Sequence, residues 1–288
     1  MLFRRYDEIS SFKARTLDVL LEHEVQNNLL LSLLDSRVRD ASSWFLATVS
    51  DGGGVALTAI CSKPFPMLLY ETGNKPRADA LELLAREVRR SRFAPPGAMA
   101  EPGLSRRFAD SLAGAGAGKL HMKSSVMRLD ALLEHKKAPG YQRTLEISDL
   151  TYAPGWERAF SEDCRSHVFT APEYTERLMA RLDKNTHFIW VDGAPVSQAV
   201  HGRDTPNGAV INGVYTPPSY RGRGYATSVV AALADALLNE GKPFCCLFAD
   251  SDNHVSCGIY KKLGFYEVCS IDDIRFDKPE QIVYVTSG

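Results

Sequence analysis

One stretch constrains the fold of this chain more than any other: a strand, a glycine-bearing turn and a helix between residues 209 and 241. Residues 209–215 are rich in β-branched side chains, which is typical of a buried strand, and Pro217 and Pro218 close this run. The next segment repeats apolar residues at three- and four-residue steps, as a helix does, until Gly241 offers a residue suited to ending it. Backbone N–H groups of such a turn and of the helix N-terminus together form a site for an anion such as a phosphate.

A second strand and helix follow directly. Residues 244–249 are predicted to form a short buried strand, and a helix is predicted to run from about Asn253 to Leu263, with Gly264 able to end it. Asn253 and Tyr260 lie seven residues apart, nearly two helical turns, so they share one face at a separation of roughly 10 Å along the axis.

These two segments resemble the acyl-CoA-binding core of the GNAT N-acetyltransferases. The resemblance rests on Arg221-x-x-Gly224-x-Ala226 after the first strand and on Asn253 and Tyr260 in the second helix, which is followed by Leu-Gly-Phe. It implies acetyl-CoA as the acyl-donor substrate, a primary amine as the acceptor and direct transfer within a ternary complex. The acceptor could be a small molecule or a protein amino group.

The resemblance also implies a binding role for two backbone runs. Asn212 and Gly213 interrupt the first strand, and a glycine inside a strand often marks a bulge. In the family a bulge here splays two strands apart and opens a slot for the pantetheine arm. The residues expected along pantetheine are Val214, Tyr215 and Thr216, and those expected around the pyrophosphate are Arg221, Gly222, Arg223, Gly224, Tyr225, Ala226 and Thr227.

Catalytic roles are assigned in the same way. Tyr260 is the expected general acid, because the departing thiolate needs a proton. Asn253 is expected beside the pantetheine, and it also suits a helix N-cap. The general base stays open between Asp250, His201 and a chain of water molecules, since Asp250 also suits a turn and His201 also suits an exposed surface.

Composition limits the other classes of function. The chain has 288 residues and a formal net charge of -1, so a broad electrostatic grip on nucleic acid or on an anionic membrane is not expected. Its N-terminus lacks an apolar signal segment and no run is long enough to span a bilayer, which favours a cytoplasmic protein. The six cysteines and seven histidines show no metal-ligand spacing, so reduced thiols and no metal are expected.

The order of predicted elements repeats once along the chain. We predict an α+β fold of two GNAT-like domains, residues 1–138 and 139–288, each a mixed and mostly antiparallel twisted sheet flanked by helices. A splayed strand pair is expected in the second. The first domain lacks the cofactor residues: its matching stretch, Glu71 to Pro76, has a single glycine, a carboxylate and a proline that removes one N–H donor. An unrelated α+β domain is the alternative reading of this half.

The predicted function is therefore N-acetylation, with one alternative from a different class. A catalytically silent acyl-CoA-binding module that regulates a partner would keep the same turn and helix. A nucleotide-binding protein is less favoured, because the chain has no G-x-x-x-x-G-K-[ST] motif. The protein is expected to be a monomer or a homodimer.

Overall fold

A computed structural model describes residues 1–34, 41–73 and 76–282. The chain divides into two compact units. The first comprises Met1–Val126 together with Val268–Gly288, and the second comprises Met127–Glu267. None of the helices within the described ranges is long and apolar enough to cross a membrane.

The first unit alternates strands and helices. Its elements in chain order are β1 (Leu2–Tyr6), α1 (Ile9–Leu21), α2 (Asn28–Leu33), β2 (Phe45–Asp51), β3 (Gly54–Cys61), β4 (Met67–Glu71), α3 (Ala78–Arg90), β5 (Gly97–Ala100), α4 (Pro102–Ala113) and β6 (Lys119–Leu129), the last of which crosses the division at residue 126.

The second unit repeats this order. Its elements are β7 (Tyr141–Thr144), a 3-10 turn (Ile147–Thr151), α5 (Ala153–Asp163), α6 (Ala171–Lys184), β8 (His187–Val191), β9 (Pro195–Asp204), β10 (Gly208–Tyr215), a second 3-10 turn (Pro218–Tyr220), α7 (Tyr225–Asn239), β11 (Phe244–Asp250) and α8 (His254–Leu263). The chain ends with β12 (Tyr266–Arg275) and α9 (Pro279–Ile282).

Strand pairing shows that the two units share one layout. In the first, β1, β2, β3 and β4 pair antiparallel in chain order and β4 pairs parallel to β5. In the second, β7, β8, β9 and β10 do the same and β10 pairs parallel to β11. A parallel pair needs a crossover connection, and a helix supplies it each time, α3 in one unit and α7 in the other.

Apolar residues on both faces of each sheet explain why helices cover it. The helix α7 buries Val229, Val230 and Leu233 against β9, β10 and β11, in a core that also holds Trp190. On the other face of the second unit, Leu178 of α6 packs with Ile189 of β8. Burying an aliphatic side chain stabilises a fold by about 1.5–3 kcal/mol, so these two layers hold the strands that carry the site.

The boundaries of the two compact units differ from the division between residues 138 and 139 that the sequence predicts. β12 lies near the C-terminus, yet it pairs antiparallel with β5, Asp272 opposite Ala100 and Ile274 opposite Ala98. Ile274 also packs in the core of the first unit, because β5 has an open edge that β12 completes. A division at one point of the sequence cannot anticipate this pairing, since nothing local to β12 identifies its partner strand.

Candidate functional site

The turn after β10 has the backbone shape of an anion cradle. Gly222 and Gly224 have φ angles of +78° and +82°, in the left-handed region that glycine adopts without strain. Gly224 is the N-cap residue of α7, and its carbonyl accepts the first hydrogen bond of the helix from the N–H of Ser228, at 3.0 Å. The N–H groups that precede Ser228 in the helix are therefore not used by the helix itself and remain available to an anion.

The expected bulge is present in β10. Asn212 lies opposite Val200 and Tyr215 lies opposite Gln198, so β10 advances three residues where β9 advances two. Gly213 accommodates the extra residue with a φ of +60°. A Cβ atom at this position would lie 2.9 Å from Cγ2 of Val200, so both the backbone angle and the packing favour glycine.

The parallel pair β10–β11 separates after Val210, just before the bulge. Paired positions run from Gly208 opposite Phe244 to Val210 opposite Cys246. β10 continues to Tyr215 and β11 continues to Asp250. Both strands thus extend past their paired region toward the turn at residues 221–227, which gives the splayed pair predicted for this unit.

Side chains of the turn have partners within the second unit. Arg221 donates from Nη2 to Asp163 of α5 at 2.8 Å and from Nε to the carbonyl of Thr216 at 2.9 Å. Arg223 lies over the ring of Tyr220. Tyr225 packs in the core and donates from its hydroxyl to Asp192 at 2.5 Å. The guanidinium of Arg221 is therefore shared with α5, and its backbone N–H donates to the carbonyl of Pro218 at 3.3 Å, so the donors that the turn can offer to an anion are the backbone N–H groups from Gly222 to Thr227.

The strand residues expected along pantetheine lie on either side of the sheet plane. Val214 packs on the α7 side, whereas the Tyr215 ring approaches Trp156 of α5, with 6.1 Å between ring centroids. Thr216 Oγ1 and Ser197 Oγ are hydrogen-bonded at 2.8 Å, and this bond fixes the start of the turn.

The helix α8 places Tyr260 inside the second unit and Asn253 at its N-terminus. Asn253 Oδ1 accepts the N–H of Ser256 at 3.0 Å, so Asn253 is the N-cap. Tyr260 is 7% exposed, and its ring packs edge-on against Phe265. Burial, followed by the nearby Cys164 and Cys257, raises the pKa of the Tyr260 hydroxyl, which therefore keeps its proton at neutral pH.

The C-terminal end of α5 connects the turn to Tyr260. Asp163 pairs with Arg221, and Cys164, the next residue, is close enough to Tyr260 to influence its pKa. Sequence reasoning did not anticipate this link, because Asp163 and Arg221 are 58 residues apart. The turn and Tyr260 thus both lie near the C-terminal end of α5.

Two of the candidates for the general base have structural partners. Asp250 accepts the N–H of Asp252 at 3.0 Å and pairs with Arg165 at 3.1 Å, as a turn residue does. His201 Nε2 lies 2.9 Å from Asp204 Oδ1. Both side chains are thus engaged with neighbours in the second unit.

Sequence reasoning missed a group of buried polar residues beside the bulge. The group comprises the buried residues His187 of β8, Gln198 of β9 and Glu157 of α5, together with the partly exposed Arg181 of α6. Their side chains are joined in that order by contacts of 3.2, 2.9 and 2.8 Å. No motif or spacing marks them. The available signal was Glu157, a charged residue on the buried face of α5. The sequence does not show which face of α5 is buried, so this signal can be read only from the structure.

One residue of this group makes a testable contribution to stability. Burial lowers the pKa of His187 to about 4, against an ordinary value of 6.5, with Glu157, Arg181, Gln198 and Asp149 also acting on it. Between these two pH values the unfolded chain binds more protons than the folded protein, so stability must fall as the pH falls. At 1.36 kcal/mol per pKa unit the loss from pH 7 to pH 4 is about 3 kcal/mol.

Urea unfolding at pH 7 and at pH 4 measures this effect. His187→Gln has no titrating group but keeps an amide N–H that can donate to Gln198. Its loss of unfolding free energy over this range should be smaller than that of the wild type by about 3 kcal/mol. Equal losses in the two proteins would show that His187 titrates normally in the folded state.

The first unit has a carboxylate where the second has its cradle. Glu71 ends β4, accepts the backbone N–H of Arg77, the N-cap of α3, at 2.7 Å, and pairs with Arg107 at 2.5 Å. Glu71 and Arg107 line a cavity of about 290 Å³ with Tyr70 and Glu101. Asn74 and Lys75 of this stretch lie outside the described residues. The N-terminal side of α3 is thus occupied by an anion of the protein itself.

The structure is an α+β fold with a glycine turn, shaped like an anion cradle, at the end of a splayed parallel strand pair. Residues 153–265 match the model of the Acetyltransferase (GNAT) family. This segment of the second unit is therefore similar to the GNAT acetyltransferases. No curated protein matches the sequence.

Solved structures with the same fold cover almost the whole chain. An acetyltransferase of the GNAT family from Colwellia psychrerythraea is 13% identical, with a TM-score of 0.61 over 96% of this chain and 100% of that one. A GCN5-related N-acetyltransferase from Sphaerobacter thermophilus is 15% identical, with a TM-score of 0.63 over 95% of each chain. A tandem GNAT protein from the clavulanic acid biosynthesis pathway is also 15% identical, with a TM-score of 0.57 over 95% and 97%.

The similarity to these solved structures confirms the predicted fold class, an α+β fold of two GNAT-like units. The family match lies in the second unit, which holds the bulge, the turn and Tyr260. The structural similarities extend over both units, and the repeated strand pairing explains why.

Proposed function

We propose that the second unit binds acetyl-CoA at the turn of residues 221–227 and transfers the acetyl group to a primary amine. The observation that carries this proposal is the continuity of three features: the bulge at Gly213, the separated ends of β10 and β11, and the glycine turn at the N-terminus of α7. A pantetheine arm needs an extended slot, and a pyrophosphate needs converging N–H donors at its end.

Direct transfer fits the thiols near Tyr260. Burial raises the pKa of the Cys164 thiol to about 11 and also raises the pKa of Cys257. A thiol that stays protonated is a poor nucleophile, so an acyl-enzyme on either cysteine is disfavoured at neutral pH. The amine would then attack the thioester itself, with Tyr260 giving a proton to the departing thiolate.

Thiol release from acetyl-CoA across a panel of amines tests the proposal. The panel should contain amino acids, polyamines and peptides with a free N-terminus or lysine. Thiol release that requires one class of amine would support the acetyltransferase. Calorimetric binding of acetyl-CoA without thiol release for any amine would favour the alternative, a silent acyl-CoA-binding module.

One acyl-CoA site per chain is expected. A pyrophosphate near the N-terminus of α3 would meet the carboxylate of Glu71, which already holds the Arg77 N–H and the guanidinium of Arg107. Two like charges within a few ångströms repel, and displacement of Glu71 would leave Arg107 without its partner.

Calorimetric titration of the full chain with acetyl-CoA should therefore give a stoichiometry near one. The same titration of Gly224→Val should remove that equivalent and uncover no other. A second equivalent that survives Gly224→Val would show that the first unit binds acyl-CoA despite Glu71.

A further inference from the structure

A chain of buried polar side chains lies beside the bulge of β10, on the sheet face that α5 and α6 cover. Gln198 is at its centre and is fully buried. Gln198 Nε2 donates to Glu157 Oε1 at 2.9 Å and to the carbonyl of Gly213 at 3.2 Å. Gln198 Oε1 lies 3.2 Å from Nε2 of His187, which is also fully buried.

These contacts allow one orientation of the Gln198 amide. Its oxygen can only accept, so it must face the N–H of His187, and its two N–H groups must face the Glu157 carboxylate and the Gly213 carbonyl. The reverse orientation would set the amide oxygen against two other acceptors. Arg181 holds Glu157 from the opposite side at 2.8 Å, which keeps the carboxylate in place.

The Gly213 carbonyl matters because of the peptide group to which it belongs. The C=O of Gly213 and the N–H of Val214 share one planar trans peptide, so they point in opposite directions. Gln198 lies on β9 and holds the carbonyl on that side of β10. The Val214 N–H therefore points to the other side of β10, where β11 has separated from it.

Stability alone gives no reason for this arrangement. Burying charged and polar groups costs desolvation free energy, and well-packed apolar residues are often equal or better for stability. A fully connected buried network does restrict the local backbone to one arrangement. Here the restricted backbone is the bulge, which a glycine with a φ of +60° would otherwise leave free to change its peptide orientation.

We propose that Gln198, fixed by Glu157 and His187, is a positioning residue that aims the Val214 N–H at the carbonyl oxygen of the bound thioester. This inference rests on the proposed acetyl transfer. When the amine attacks, negative charge develops on that oxygen, and a donor already in place stabilises it at no cost of reorganisation. Gln198 acts through the backbone and contacts no substrate.

Gln198→Met tests the inference, because methionine has similar size and cannot donate a hydrogen bond. Its kcat should fall at least about tenfold, since small errors in the placement of a donor are costly in a transition state. The dissociation constant for acetyl-CoA, measured by calorimetry, should change less than about threefold, because the turn that would hold the pyrophosphate is untouched. Ile189→Val is the matched control: Ile189 lies opposite Gln198 on β8, packs in the apolar cluster of the same face and has no hydrogen-bonding side chain.

Two further variants separate this role from others. Glu157→Gln keeps an acceptor for Gln198 but loses the charge that pairs with Arg181, so its kcat should fall only severalfold, whereas loss of a general base at Glu157 would lower kcat about 100-fold or more. His187→Leu removes the donor that orients the amide and should lower kcat severalfold even if Gln198→Met does not fold. Wild-type kcat in a folded Gln198→Met variant would overturn the inference. If Gln198→Met does not fold, wild-type kcat in His187→Leu would overturn it instead. A 100-fold loss of kcat in Glu157→Gln would also overturn it. A wild-type protein without thiol release would instead contradict the proposed function.

Discussion

Gly224→Val is expected to raise the dissociation constant for acetyl-CoA by about 100-fold or more, equivalent to roughly 3 kcal/mol. A Cβ atom of the valine would make only an ordinary van der Waals contact, with Ala138 Cβ at 3.7 Å, so a clash at Cβ does not forbid the substitution. The valine side chain would instead stand among the N–H groups of the turn and prevent the close approach of a phosphate. Isothermal calorimetry with acetyl-CoA measures the effect.

The same substitution also carries a backbone cost, because Gly224 has a φ of +82°. A non-glycine residue in a sparsely populated backbone region costs about 1–3 kcal/mol of stability. Gly241→Val is the matched control, since Gly241 has a φ of +93° and open space around it, just beyond the other end of α7. Gly241→Val should lose similar stability and bind acetyl-CoA as the wild type does. Normal affinity in folded Gly224→Val would remove the turn from the proposed site.

Tyr260→Phe is expected to lower kcat by about 100-fold while the KM for acetyl-CoA changes little. The variant loses one hydroxyl and keeps the ring that packs against Phe265, so its unfolding free energy should stay close to that of the wild type. The raised pKa of Tyr260 means that the hydroxyl is protonated at working pH and can serve as a donor to the thiolate.

Tyr6→Phe controls for the loss of a buried tyrosine hydroxyl. Tyr6 is 5% exposed and hydrogen-bonds to Thr48 in the first unit. Its kcat should match the wild type even though a hydrogen bond is lost. Unchanged turnover in Tyr260→Phe would leave Tyr260 as a core residue, and the thiolate would have to take its proton from water.

Several features of the fold could be predicted from the sequence because they depend on residues close together in the chain. The hairpin of β2 and β3, the bulge at Gly213 and the ends of α7 and α8 follow from glycines and caps within a few residues. At one place, local spacing by itself does not give the observed elements. Apolar periodicity runs from Leu17 to Leu33, yet two helices form, since Asn27 hydrogen-bonds back to the carbonyl of Leu20 between them.

The sequence by itself determined the layout of the two halves, the strand–turn–helix at residues 209–241 and the position of Tyr260 on the next helix, because backbone preferences and apolar periods are local. Tertiary structure alone decided which distant groups meet. Gln198 reaches Glu157 across 41 residues, and β12 completes the sheet of the first unit. Such contacts depend on which faces and edges the packed strands leave open, and no local pattern encodes that choice.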